Sequence, residues 1–446
     1  MLVLTLCVSA RASSLGASLD QPAPTLPIDE WLSQGEVKQF QCDVHIDQPI
    51  LTFQQRHRVF VKAKFPAPSL QRESIRRDLH FFVKVADENG KWLSGQTYNH
   101  FRVEKQFDKR MEIELEAGLY LQPGRYTIAV IVYDSVLREH NVVFRHITVD
   151  APKHDPFPKL LTDLPRVEFL PAPVEGIATL ASGHAFLPVE TERPIELDVI
   201  VDLSPYTRRR TFWMQSVPGS DAASPRGIDP FPGGMRQRDM SRAQSIAFPG
   251  GFRRPLPEGV RRTVKGFQSR LLEAASIIGD LNPTNGCTRI TVFNTLSRRL
   301  LMSAQPALSA DWLKTWDDVF NTDLNVITVQ DLAGSVEAAK FLHDQIQSLM
   351  SLAPPCRLES HRPVRILALL SRGAHFPDGT DQPKIDAKCD CKVFYLREHE
   401  DVTDLFDDLQ RMLKPLSPAR LEFSDPGQFR HKLSDLIRTI QELGSD

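Results

Sequence analysis

The chain has 446 residues, of which 41% are hydrophobic and 25% are charged, and its formal net charge is −2. At roughly 150 residues per domain, this length predicts two or three domains of ordinary globular composition. The near-neutral charge excludes a global attraction to nucleic acid or to a membrane surface, and beyond the N-terminus no apolar run approaches the ~20 residues that span a bilayer.

The N-terminus is apolar and then rich in small residues. Residues 1–10 form the apolar stretch, and Ala-x-Ala-like ends follow at Ala12 and Ala17. This order resembles a secretory signal peptide that lacks a basic first segment, so residues 1–18 predict a secreted or periplasmic protein. The alternative is a disordered apolar tail. Residues 19–36 are polar and rich in Pro, which predicts a flexible leader.

Six segments within residues 37–150 have the pattern of β-strands. They are rich in Val, Ile, Phe and Tyr, and no helical period lies between them. The predicted strands are Phe40–Ile46, Arg58–Phe65, Leu79–Ala86, Met111–Leu115, Tyr126–Tyr133 and Val142–Val149. This spacing predicts an antiparallel β-sandwich. The segment Leu121-Gln-Pro-Gly-Arg-Tyr126 is similar to the penultimate strand of many immunoglobulin-like and fibronectin-like modules.

A Pro-rich linker, residues 151–193, follows and contains two further predicted strands, Arg166–Leu170 and Ala185–Val189. From residue 194 to 446, strands and amphipathic helices alternate. The predicted strands are Ile195–Leu203, Arg289–Phe293, Arg299–Ser303, Val364–Leu370, Lys392–Leu396 and Arg420–Phe423, and the predicted helices are Val260–Leu281, Asp331–Leu352, Val402–Leu413 and Pro426–Leu443. Alternation of this kind predicts an α/β domain with a doubly wound, mostly parallel sheet.

The cysteines favour at most one disulfide. Cys389-Asp390-Cys391 lacks the spacing of a zinc-binding pair. Cys356 and either Cys389 or Cys391 each precede a predicted strand, so a disulfide between them is plausible in an oxidising compartment. Free buried thiols are the alternative.

The first strand of the α/β region ends in an acidic motif, Asp202-Leu203-Ser204-Pro205-Tyr206. With the order and lengths of the elements, this motif resembles the von Willebrand factor A-type domain over roughly residues 194–443, and is closest to the divergent domains of bacterial secreted proteins. In that family an Asp-x-Ser-x-Ser motif holds a divalent ion, helped by a Thr and an Asp from two further loops. The resemblance implies a Mg²⁺ site, which needs about six oxygen ligands.

The motif departs from the family pattern. Asp202 and Ser204 match its first two positions, whereas Tyr206 replaces the second serine. Gln330 aligns with the Thr of the second loop. In the third loop, Ser371-Arg372-Gly373, an arginine replaces the acidic ligand. The resemblance therefore implies a degenerate metal-ion-dependent adhesion site.

We expect Arg372 to pair with Asp202 and to take the electrostatic place of the ion. One alternative is a Mg²⁺ ion held by Asp202 and Ser204, with Asp378 or Asp381 as a substitute ligand. Another is that the Asp202 carboxylate caps the strand end. No other cofactor is predicted.

A long insertion, residues 208–259, is rich in Arg, Gly and Pro. It contains Arg208, Arg209, Arg210, Arg236, Arg253 and Arg254, and the pattern Phe-Pro-Gly-Gly-x-Arg occurs in it twice. A loop of this length is either disordered or functional. Arginine with aromatic residues suits an acidic surface or polymer, whereas export argues against nucleic acid. A solvated, variable insertion is the alternative.

The sequence favours a non-enzymatic, exported binding or assembly protein that holds a protein ligand. The ligand-binding residues implied by the resemblance are Asp202, Ser204, Tyr206, Gln330, Ser371 and Arg372. One alternative is a hydrolase or metalloenzyme that uses Asp202, His375 or His399, the last of which lies among Glu398, Glu400 and Asp401. Another is an envelope protein bound to an anionic polymer through the Arg-rich insertion.

Overall fold

A computed structural model describes residues 25–70, 77–103, 112–153, 155–156, 164–170, 187–204, 270–307, 335–351, 363–374, 376, 384–385, 390–399 and 407–445. The chain divides into two compact units. The first comprises Met1–Leu187 and Asp425–Ser434, and the second comprises Pro188–Ser424 and Asp435–Asp446. The fold is β-rich and multidomain, as predicted.

Two antiparallel sheets form the first unit. One has the order β1 (Val37–Lys38), β9 (Glu139–Val149), β8 (Gly124–Asp134), β5 (Arg77–Ala86) and β6 (Thr97–Val103). The other has the order β10 (Val167–Phe169), β7 (Glu112–Leu121), β4 (His57–Pro66) and β2 (Asp43–Ile46), and β3 (Ile50–Leu51) also pairs with β4. A short helix, α2 (Ala67–Leu70), follows β4. The six predicted strands are confirmed, and the short strands β1 and β3 and the longer strand β6 are additional.

The two sheets pack face to face. Alternate residues of β4, such as Val59 and Val61, and alternate residues of β5, such as Phe81 and Val83, share one buried apolar cluster. This alternation is what the twofold side-chain period of a strand produces when one face is buried. The Tyr126 hydroxyl donates to the backbone oxygen of Gln122 at 2.9 Å, the tyrosine-corner bond of many sandwiches. The predicted β-sandwich is confirmed.

The N-terminal segment departs from the prediction. Residues 19–36 were expected to form a flexible leader, but α1 (Ile28–Gln34) is a helix whose Ile28, Trp31 and Leu32 are buried. These side chains pack on the outer face of β5 and β8, and the Trp31 ring stacks on His140 with the ring centroids 4.4 Å apart. Burial of an aromatic side chain stabilises this helix although the segment is polar and rich in Pro. Residues 1–24 lie outside the described part of the chain.

The second unit contains a six-stranded sheet. Its order is β15 (Arg299–Pro306), β14 (Gly286–Asn294), β12 (Ile195–Asp202), β16 (Val364–Ser371), β17 (Cys391–Glu398) and β18 (Ala419–Phe423). β14, β12, β16, β17 and β18 run parallel, and β15 is antiparallel to β14. All eight residues of β12 are buried, as expected for a central parallel strand. The prediction of a mostly parallel sheet is confirmed.

Helices in the second unit bury apolar faces. They are α3 (residues 270–279), α4 (Ser335–Ser351) and α5 (Asp408–Leu413), which a 3₁₀ turn (Lys414–Leu416) follows. The last helix, α6 (Pro426–Ser445), begins in the segment assigned to the first unit and ends in the segment assigned to the second. Leu342 and Ile346 of α4 and Leu409 of α5 share a cluster with sheet residues Leu367 and Tyr395. A small second sheet pairs β11 (Leu187–Val189) with β13 (Leu281–Pro283).

The cysteines only partly follow the prediction. Cys391 is disulfide-bonded, which agrees with it, but Cys287 is disulfide-bonded as well. Cys287 in β14 and Cys391 in β17 are separated by two strands, roughly 14 Å in all, which is too far for a bond between them. Cys356 and Cys389 lie outside the described residues. Cys42 is free and buried, and burial raises the pKa of its thiol to about 12.

Candidate ligand-binding rim

The carboxyl ends of the parallel strands lie along one edge of the second unit's sheet. We call this edge the rim, and it comprises Asp202, Ser204, Asn294, Thr295, Ser371, Arg372, Glu398 and Asp407. Register places Asp202 opposite Phe293 and Ser371 opposite Arg397, so that the residues after each strand are neighbours. Strand ends of this kind carry the ligand sites of open α/β sheets.

Asp202 accepts hydrogen bonds from two neighbours. Oδ1 accepts from the Ser204 hydroxyl at 2.5 Å, from the Ser204 backbone N–H at 3.0 Å and from the Thr295 N–H at 3.2 Å. Oδ2 accepts from the Thr295 hydroxyl at 3.0 Å. The carboxyl group is fully buried, and burial raises its pKa although these hydrogen bonds oppose the rise. Asp202 therefore links the end of β12 to the loop after β14.

Ser204 and the loop after β14 complete this group. The Ser204 hydroxyl oxygen accepts from the Leu296 N–H at 3.1 Å, and Asn294 Oδ1 accepts from the Ser297 N–H at 3.1 Å. Every donor to Asp202 among these contacts is a protein N–H or O–H. The described contacts of Asp202 do not fit a Mg²⁺ site, because Asp202 is the one carboxylate among them and both of its oxygens accept protein hydrogen bonds.

The loop after β16, which contains Arg372, does not form the ion pair that was predicted. Arg372 was expected to pair with Asp202, but its Nε lies 2.8 Å from Oε2 of Glu398, which ends β17. Nη1 of Arg270 lies 3.3 Å from Oε1 of the same carboxylate. The Glu398 side chain has no exposed surface, and that of Arg372 is 12% exposed. The two arginines therefore neutralise a buried carboxylate that the sequence offered only as part of an acidic cluster.

Asp407 is the third buried carboxylate of the rim. It accepts from the Leu409 N–H at 3.1 Å and thereby caps α5, and it also accepts from the Ala374 N–H at 3.2 Å and the Tyr395 hydroxyl at 2.7 Å. Burial raises the pKa of Tyr395 well above its usual value, and the adjacent Asp407 carboxylate raises it further. Asp407 thus holds the loop after β16 against α5.

Gly373 allows this close approach. Its φ is +97°, and a Cβ atom there would lie 3.1 Å from Oδ1 of Asp407.

Among the described residues, Arg397 is the cation nearest to Asp407. Its side chain is 3% exposed and lies 3.5 Å from Asp407 and 3.5 Å from Glu422. The rim is therefore a set of loops joined by buried, paired carboxylates.

Four of the residues predicted from the sequence lie at the rim. Asp202, Ser204, Ser371 and Arg372 lie on one edge as expected, and Ser371 is buried with its hydroxyl oxygen accepting from the Gly373 N–H. Thr295 and Asp407 were missed, although Thr295 directly follows the second strand. The remaining predicted residues lie outside the described residues: Tyr206, Gln330, Asp378, Asp381, His375, Glu400, Asp401 and the six arginines of the insertion, Arg208, Arg209, Arg210, Arg236, Arg253 and Arg254.

No protein-family model and no curated protein matches the chain. Among solved structures, the chain is similar to a family 123 glycoside hydrolase from Clostridium perfringens, studied for glycolipid glycan hydrolysis. The identity is 9%, 90% of this chain and 88% of that chain are covered, and the TM-score is 0.21. A TM-score this low carries no argument. In the described part of the chain, no helix is both long and apolar enough to span a membrane.

Proposed function

We propose that the protein is an extracytoplasmic, non-enzymatic binding or assembly protein. In this proposal the second unit is a divergent von Willebrand factor A-type domain that holds a protein ligand at the rim without a metal ion. The first unit, an immunoglobulin-like or fibronectin-like sandwich, provides a spacer or a second contact.

The observation that carries the proposal is the strand order. Counted along the chain, the strands of the six-stranded sheet lie in the order third, second, first, fourth, fifth, sixth. The order therefore reverses between β12 and β16, where an open α/β sheet leaves a crevice for a ligand. Ser204 follows the first of these strands and Arg372 follows the second. The Ser204 hydroxyl is bonded to Asp202 and the Arg372 guanidinium is paired with Glu398, so in this proposal the two residues fix the loops that border the crevice, and the ligand contacts those loops.

A binding role is also supported by the state of the acidic side chains. A general acid or base needs an oxygen within hydrogen-bond reach of the substrate. Asp202, Glu398 and Asp407 have little or no exposed surface, and each is paired with neighbours in its own unit. Export is supported by the disulfides at Cys287 and Cys391, because such bonds persist in oxidising compartments.

A double variant tests the rim. Arg372→Gln with Glu398→Gln removes both charges of the buried pair, so that no isolated carboxylate remains, and it changes the crevice that we assign to the ligand. Arg411→Gln is the matched control, since the Arg411 side chain is 64% exposed and belongs to a pair within α5. The full chain is immobilised, and envelope proteins of the source organism are captured with and without EDTA.

We expect one protein to be retained by the wild type and by Arg411→Gln, to be lost with the double variant, and to be insensitive to EDTA. Circular dichroism checks that the double variant is folded. Equal capture by the double variant, or loss of capture in EDTA, would contradict a metal-free rim site. Turnover of chromogenic esters or glycosides that Asp202→Asn abolishes would instead identify a hydrolase.

A further inference from the structure

Two histidines and an aspartate converge on the outer face of the first unit's β5–β6 pair. Asp78 and His80 are two residues apart on β5 and therefore point to the same face. His100 lies directly opposite His80 in the antiparallel register of β6. The imidazole rings of His80 and His100 stack with centroids 4.9 Å apart, and one ligand atom from each of the three residues lies within 4.8 Å of the others.

We propose that Asp78, His80 and His100 form a binding site for a divalent transition-metal ion, with Zn²⁺ as the ion that best fits the donor set. Two imidazole nitrogens and one carboxylate are the protein ligands of many zinc sites that keep a further position for water. Imidazole ligands favour Zn²⁺ over Mg²⁺ and Ca²⁺, which prefer oxygen alone. This site is independent of the rim.

The distances are close to those of a tetrahedral site. Zn²⁺ bonds of about 2.0–2.1 Å place neighbouring ligand atoms about 3.4 Å apart. Nε2 of His100 lies 2.5 Å from Oδ1 of Asp78, and Nε2 of His80 lies 4.0 Å from Oδ2 of the same carboxylate. One nitrogen–oxygen separation is shorter and the other is longer than this value, and all three ligand atoms lie within 4.8 Å of one another, so side-chain rotations that move these atoms by roughly 1 Å would seat the ion. The ion would then replace the direct hydrogen bond between His100 and Asp78.

Neighbouring groups orient two of the ligands. The Tyr98 hydroxyl lies 3.1 Å from Nδ1 of His80, which leaves Nε2 for the ion, and the Ser135 hydroxyl donates to Oδ2 of Asp78 at 3.0 Å. Hydrogen bonds of this kind fix the ring orientation of metal-binding histidines. Arg102 lies 3.6 Å from Asp78, but its side chain is 50% exposed and can turn into solvent. The ligand side chains themselves are 11% to 22% exposed, so an ion can reach them.

Zinc titration of the full, tag-free chain tests the site. The protein is depleted of metal, and Zn²⁺ alone is titrated by calorimetry, while Co²⁺ provides a visible absorption spectrum that reports coordination. His100→Asn removes one ligand from a partly exposed position. His45→Asn is the matched control, because Nε2 of His45 also lies beside an aspartate, Asp47 at 3.3 Å, but among the described residues no second histidine joins this pair.

We expect one Zn²⁺ ion per chain with micromolar or tighter affinity. Affinity should be retained in His45→Asn and weakened more than about 100-fold in His100→Asn, beyond the usual cost of losing an outer hydrogen bond. Tyr98→Phe keeps all three ligands and should weaken affinity by about 10-fold, so the proposal stays testable if His100→Asn does not fold. The proposal is overturned if the wild type binds no Zn²⁺, or if His100→Asn and Tyr98→Phe both bind it as tightly as the wild type does.

Discussion

The rim of the second unit and the histidine cluster of the first unit both contain a carboxylate among polar side chains, but they satisfy it differently. Asp202 and Asp407 each accept from two or more backbone N–H groups as well as from hydroxyls. Asp78 accepts from the side chains of His100 and Ser135. The rim carboxylates therefore act like capping residues, which satisfy backbone N–H groups. The side chains of the histidine cluster are instead arranged like the ligands of a metal ion.

The difference has a backbone origin. At the ends of parallel strands, N–H groups have no ladder partner, so they are available to a buried carboxylate. Within the antiparallel ladder of β5 and β6, the backbone groups already pair with one another. Side chains on the outer face must then satisfy each other, and histidines among them can exchange a hydrogen bond for a metal bond.

The largest effect should come from removing a rim carboxylate. Asp407→Ala leaves the Ala374 N–H and the Tyr395 hydroxyl without this buried acceptor and removes one ion-pair partner of Arg397, at a cost of about 3–5 kcal/mol in the free energy of unfolding. Asp425→Ala is the matched control, since Asp425 caps α6 from an exposed position and should cost about 1 kcal/mol. Urea denaturation measures both. Equal losses would show that the buried partners of Asp407 contribute nothing beyond the cap.

The next largest effect concerns the histidine cluster. A ligand that binds only the folded state at 100 times its dissociation constant stabilises that state by about 2.7 kcal/mol. Excess Zn²⁺ should therefore raise the urea midpoint of the wild type, and Mg²⁺ at the same concentration should leave it unchanged. An increase with Mg²⁺ as well would indicate a general effect of divalent ions. No increase with Zn²⁺ would place the cluster with the rim as a purely structural group.

The pH dependence of Asp202 should be the third effect. Burial raises its folded-state pKa above the unfolded value of 3.8, so the stability that Asp202 contributes is full below pH 3.8 and is lost as the pH rises through the raised pKa. Asp202→Asn removes the charge and retains one oxygen that can accept from Ser204, while its amide N–H can donate to the Thr295 hydroxyl oxygen. The variant should therefore gain stability relative to the wild type between acid and neutral pH. Urea denaturation at pH 4 and pH 7.5 measures the difference, and a constant difference would contradict the raised pKa.

The smallest effect concerns the reactivity of the cysteine thiols. Cys42 is buried with its thiol pKa raised to about 12, so it should resist alkylation at pH 8 in the folded protein and react only after unfolding. Cys287 and Cys391 should react only after reduction. Peptide mapping by mass spectrometry distinguishes the three. Rapid alkylation of Cys42 in native protein would indicate that the sandwich core opens readily.

Periodicity predicted most strands and helices of the described residues but missed the helix α1 and the strand β6. β6, Thr97–Val103, was missed because its sequence TYNHFRV carries polar residues on the outer face and little continuous apolar character. Those same polar residues include His100, which completes the proposed metal site. A strand that provides a ligand is thus harder to recognise from its sequence than one that only fills a core.

The sequence by itself determined the alternation of elements, the parallel central strand that ends at Asp202, and the placement of Ser204, Ser371 and Arg372 on the same edge, because burial on one or both faces imposes a period that can be read along the chain. Tertiary structure alone decided the partners. Arg372 contacts Glu398 rather than Asp202, Trp31 converts a Pro-rich leader into a packed helix, and His100 meets His80 across a ladder. Which side chains contact each other depends on strand register and on the direction of each side chain. Neither can be predicted from the periodicity of the sequence.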